Sequence, residues 1–127
     1  MFNPRVQMVA RILLGVILVV FGVNKLVTFL PNPELSAEAG SFFGAIVSTG
    51  YLFQFIGIVE ILAGVALLAN KYVNVGLLIF APVAVNILLF HLFLDPATVL
   101  GPGLLVFLLT LYLLLANKSS FNDVLRA

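Results

Sequence analysis

Four long apolar runs, parted by short polar breaks, set the pattern of this chain: residues 6–30, 51–70, 72–94 and 99–116. A helix needs about 20 predominantly apolar residues to cross a bilayer, and each run is near or above that length. All four are too long and too continuous to be strands of a membrane barrel. The breaks carry the residues that stop helices. PNP at 31–33 ends the first run, NKYVN at 70–74 joins the second to the third, and DPAT at 95–98 joins the third to the fourth.

Only the first connection is long. Within it LSAEAGSFFGAIVSTG predicts a short amphipathic helix over about 37–49, with Ser36 as its cap and Gly50 as its stop. Phe42, Phe43, Ile46 and Val47 form its apolar face, which suits a position on the membrane surface. The expected fold is all-α and integral to the membrane, a four-transmembrane-helix bundle with a short amphipathic helix in the first extracytoplasmic loop. All 127 residues belong to one membrane domain in this reading.

Composition agrees with the pattern. The chain is 63% hydrophobic and 9% charged, against about 45–50% apolar and about 25% charged in soluble domains. Its formal charge of +1 comes from scattered Lys and Arg, which excludes a basic field for nucleic acid. Cysteine is absent, so thiolate chemistry, disulfide exchange and Cys-based metal sites are excluded for these residues. Arg5 and Arg11 precede the first run and Ala37-Glu38-Ala39 resembles a cleavage pattern. The stretch between them is too long for a signal peptide, and the first run is expected to be a retained helix.

Arg5, Arg11, Lys71, Lys118 and Arg126 fall on one side of the four spans, and Lys25 falls on the other with Glu34, Glu38 and Asp95. The positive-inside rule then puts both termini in the cytoplasm. LLANK occurs at 67–71 and again at 114–118. Asn at a helix end with Lys at the negative end of the dipole accounts for both copies without a repeat.

Candidate chemistry begins with Glu60, set within QFIGIVEILAGVALL. At 1.5 Å per residue it lies about 14 Å from either end of its run, near the bilayer centre. A charge there costs at least roughly 2.5–3.5 kcal/mol on lipid, so Glu60 is expected to face the bundle interior. Gly57 and Gly64 share its stripe. On the first run Arg11, Gly15, Gly22 and Lys25 fall within about 80° of one another. Two charged, glycine-lined stripes on successive helices are expected to pack together, because glycine lets backbones approach closely.

Lys25 leans inward and Glu60 leans outward, since side chains tilt toward the N-terminus of their own helix. The two backbones come out about 14 Å apart in depth, so a water or a polar side chain is expected to complete the link. Arg11, near the opposite end, is expected to reach phosphates. Asn86, His91 and Gln54 lie toward the Lys25 end, and Pro82 is expected to kink the third helix and free the Leu78 carbonyl. The expected site is thus a polar cluster of Lys25, Glu60, Asn86, His91, Gln54 and Arg11 lining an outer pocket. The fourth run has only Thr110 and Tyr112 as interior polar candidates and reads as packing.

RILLGVILVVFGVNKL from Arg11, VEILAGVALL from Val59 and NILLFH ending at His91 resemble the DoxX family of small four-helix bacterial membrane proteins. The resemblance carries Arg11, Gly22, Lys25, Glu60, Gly64 and His91 as family positions, with the loop over residues 31–50 as a departure. It implies a bacterial cytoplasmic membrane location and a link to redox systems, as a membrane partner of thiosulfate:quinone oxidoreductase or of oxidative-stress proteins. One His and no Cys exclude a bis-His haem or an iron–sulfur cluster. Any electrons are then carried by a quinone or by a partner.

Three functions compete on these residues. An accessory or binding subunit would hold a quinone-like or lipid ligand, with Lys25, His91 and Asn86 as donors to its oxygens. A proton or small-solute conduit would use Glu60 and His91 as relays. A structural subunit among other membrane proteins would use the charges only to fix packing. No covalent cofactor, metal or catalytic group is expected. A metal on His91, Glu60 and Asp95 fits no ligand spacing.

Overall fold

The computed structural model describes residues 2–31, 34–96 and 101–122. Five helices run in the order α1 (Pro4–Leu26), α2 (Ala37–Ser48), α3 (Leu52–Ala69), α4 (Val73–Phe93) and α5 (Pro102–Ala116), followed by a 3-10 turn at Lys118–Phe121. Among the described residues there is no strand. Three helices, α1, α3 and α4, are long and apolar enough to cross a membrane.

Local chemistry sets the boundaries. Asn3 caps α1 by accepting from the Arg5 amide at 2.8 Å, and Pro4 occupies the first turn, where its missing N–H costs nothing. The helix stops at Leu26, four residues before the expected end. Val27 is extended, and the Asn24 side chain accepts from the amides of Phe29 and Leu30 at 2.9 Å each, which draws the chain into a turn. Asn70 and Tyr72 both take left-handed backbone angles, with φ of 55° and 58°, so that α3 and α4 reverse over three residues. Helix α4 continues from Val73 to Phe93 with Pro82 inside it.

Helix α5 differs from the expected fourth span. Val99 lies outside the described residues, and the helix begins at Pro102, after Gly101. Its 15 residues reach about 22 Å, less than the roughly 30 Å of a hydrocarbon core.

Helix α1 packs most extensively on α3, α4 packs between α3 and α5, and α5 closes against α1. Leu14, Leu18, Leu67, Leu77, Phe80 and Leu113 fill the centre and are fully buried. The start of α1 meets α5 at one end of the bundle, where the Phe2 and Tyr112 rings pack edge-on at 5.4 Å. At the other end lies α2. Its cap residue Ser36 accepts from the Ala39 amide and donates to the Leu94 carbonyl. Phe43 packs edge-on against Phe53 of α3 and Phe90 of α4, and Phe42 meets Phe90. Val47, one turn on from Phe43, is exposed.

Candidate functional site

The seam between α1 and α3 consists of two reciprocal glycine pairs. A Cβ at Gly22 would meet the Gly57 carbonyl oxygen at 2.7 Å, and one at Gly57 would meet the Gly22 oxygen at 2.9 Å. One level away, a Cβ at Gly15 would come 3.1 Å from the Gly64 oxygen, and one at Gly64 would come 2.9 Å from the Gly15 oxygen. These separations leave no space for a side chain, so the two backbones are in contact at both levels.

That contact sets the depth of the charged residues. A Cβ at Gly57 would also lie 2.9 Å from Lys25 Cβ, so Lys25 is level with about Gly57. Glu60 is only three residues deeper, about 5 Å. The difference from the expected 14 Å arises because α1 and α3 do not start and end at matching levels. Two long side chains leaning toward each other span that distance, and the pair meets directly: Lys25 Nζ lies 2.6 Å from Glu60 Oε1. The bridging water or side chain expected from sequence is not needed. Glu60 Oε1 is buried, and the Lys25 ammonium is its charged partner. Glu60 is 2% exposed, and Lys25 Nζ also sits 5.8 Å from the centre of the Phe53 ring.

Two adjacent lobes open beside this pair. The larger, about 580 Å³, lies among α1, α4 and the start of α5, with Phe21, Asn24, Phe90, His91, Asp95 and Gly103 on its wall. The smaller, about 180 Å³, lies between α3 and α4 under α2 and includes Ile56, Val83 and Asn86. Lys25, Glu60, Phe43, Phe53, Ile87, Phe90 and His91 belong to both. The chamber is apolar over most of its wall, with charge gathered at few points, as small-molecule sites usually are.

The expected cluster of six is divided by the structure. Lys25, Glu60, Asn86 and His91 line the chamber. Gln54 is exposed and lines neither lobe. At 100° per residue it lies about 120° around α3 from Glu60, on the other side of Gly57, so depth alone does not bring it in. Arg11 is also elsewhere. Its guanidinium donates to the Leu67 carbonyl in the last turn of α3, where carbonyls lack helical partners and the dipole is negative. This contact replaces the expected reach to lipid phosphate.

Two features escape a reading by runs. Asp95, placed by sequence in a turn, is 4% exposed and lines the larger lobe one helical turn after His91. The i,i+4 spacing of the two residues is the signal that pointed there. The second is Gly103, against which the His91 ring lies so closely that a Cβ would come within 2.4 Å of Nε2. Beyond the pair toward the α3–α4 turn lie buried apolar side chains: Leu14, Leu18, Ala63, Leu67, Leu77 and Phe80. Thr110, the buried hydroxyl of α5, donates to its own helix at the Val106 carbonyl at 2.7 Å.

Apolar helices of spanning length, with an ion pair buried among them and Val, Leu and Ile facing outward, define a multi-pass α-helical membrane protein. The DoxX family model matches residues 6–92, from the first turn of α1 to the last turn of α4, and the chain belongs to the DoxX family. The match contains Arg11, Gly22, Lys25, Glu60, Gly64 and His91 and stops short of Asp95 and α5. No curated protein and no solved structure matches the chain.

Proposed function

We propose that this protein is an accessory or binding subunit of a redox-related membrane complex, and that its chamber holds a quinone-like or lipid ligand. The observation that carries the reading is the apolar cavity of about 580 Å³ with the Lys25–Glu60 ion pair in its wall. Apolar area holds a ring or chain, while Lys25, His91 and Asn86 can donate to its oxygens. Without Cys the chain brings no iron–sulfur cluster, so electrons reside on the ligand or on partner subunits. In this reading α5 is a fourth, short span, α2 lies at the outer surface, and both termini face the cytoplasm of a bacterial cell bounded by this inner membrane.

The alternative of a conduit is disfavoured by the buried apolar side chains beyond Glu60, since Leu and Phe offer a proton no relay. A purely structural subunit is favoured by one observation, the glycine seam that holds the pair together. Native mass spectrometry of the gently extracted protein separates the two. A retained small-molecule adduct supports the binding subunit, whereas adduct-free protein held only by other subunits supports the structural one.

A further inference from the structure

Helices α3 and α4 touch near their shared turn, where a Cβ at Gly76 would lie 3.2 Å from Ala66 Cβ and 3.3 Å from the Ala63 carbonyl oxygen. Toward α2 they part around the smaller lobe. Ile56 and Glu60 form one side of this gap, Val83 and Asn86 the other, and Phe42 and Ile46 of α2 lie over it. Asn86 is exposed beside Val85 and Leu89, which are also exposed. In a bilayer that face meets lipid tails, where an amide is costly unless a polar group comes to it.

The charges in the chamber narrow what that polar group belongs to. Lys25 shares the chamber wall with two acids, Glu60 and Asp95, so the wall lacks the excess positive charge that a phosphate head requires. An uncharged head with oxygen donors or acceptors fits better, and the apolar gap fits a chain behind it.

We propose that the chamber loads sideways from the bilayer: a neutral amphiphile enters head first between α3 and α4 under α2, passes Asn86, and leaves its apolar tail in the gap. This rests on the reading of the chamber as a ligand site. It specifies the class of ligand and the route.

Photolabelling in lipid nanodiscs tests both parts. The probe is a long-chain alcohol bearing a diazirine in its chain near the hydroxyl, and the readout is label on Glu60, which is closed off from the outside. Wild-type protein is expected to be labelled there. Ile56→Trp, which fills the gap, is expected to lower the label about tenfold, a change equivalent to a tenfold weaker occupancy. Asn86→Trp should act in the same direction, and its exposed site tolerates the larger ring if Ile56→Trp fails to fold by circular dichroism. Val85→Trp, on the neighbouring lipid face, should leave the label unchanged.

Equal labelling of Glu60 in wild type, Ile56→Trp and Asn86→Trp overturns the sideways route while leaving the chamber as a ligand site. Equal labelling by a phosphate-headed analogue overturns the neutral class. No label on Glu60 in the wild-type protein overturns the proposal together with the ligand-site reading beneath it.

Discussion

Lys25 and Glu60 meet because their side chains lean toward each other from helices that run in opposite directions, a consequence of how Cβ atoms tilt along any α-helix. Removing one partner leaves a charge uncompensated in a low dielectric. Lys25→Met or Glu60→Leu alone is expected to destabilise the protein by about 3–5 kcal/mol, while the double variant recovers most of that loss. A thermal double-mutant cycle checks this, and additive losses would show that the residues are uncoupled. The partnership was legible in the sequence because charge, stripe and lean all agreed. Its direct contact was not, since depth counted from the ends of apolar runs misplaces a helix by several residues. Gln54 failed because depth says nothing of direction: it lies about 120° around α3 from Glu60. Asp95 was hidden because a turn-forming DP pair reads as solvent-facing, whereas tertiary packing buries it.

At the scale of elements, the seam between α1 and α3 is the most constrained contact in the bundle. A side chain at Gly22 would collide with the Gly57 carbonyl oxygen and with Ile61 Cγ1, both at 2.7 Å. Gly22→Leu is therefore expected to force the helices apart and cost at least about 1–3 kcal/mol, the usual range for overpacking. Gly44→Leu serves as the comparison, because a Cβ there meets nothing within 4 Å. Thermal unfolding in detergent should separate the two, and equal losses would contradict the seam. Arg11→Met removes the cation at the end of α3 and should cost about 0.3–2 kcal/mol, with the greatest increase in amide exchange in the last turn. Glycine spacing made the seam legible before any coordinates. The end of α1 was not legible, because the apolar run continues past Leu26 and only the Asn24 side chain turns the chain away.

For the whole molecule, the apolar runs foretold four spans, of which three are helices of spanning length, and the family match over residues 6–92 agrees with the motifs on them. The chamber was harder to foresee, since it depends on how α3 and α4 part beneath α2 and on how α5 seats His91 against Gly103. The proposed orientation is open to labelling from either side of the membrane. An engineered Ser41→Cys in α2 should react with an impermeant maleimide from outside, and reaction only from the cytoplasm would reverse the topology. The central claim is that the Lys25–Glu60 pair bounds a ligand chamber and does more than hold helices together. The most direct measurement is the shift in thermal midpoint caused by a benzoquinone carrying a decyl chain, compared between wild type and the Lys25→Met/Glu60→Leu double variant. At about 100 times its dissociation constant, a ligand bound only by the folded state adds about 2.7 kcal/mol. The account predicts a saturable rise in the wild-type midpoint and little or none in the equally folded double variant. An equal rise in both proteins, or none in the wild type, would contradict it.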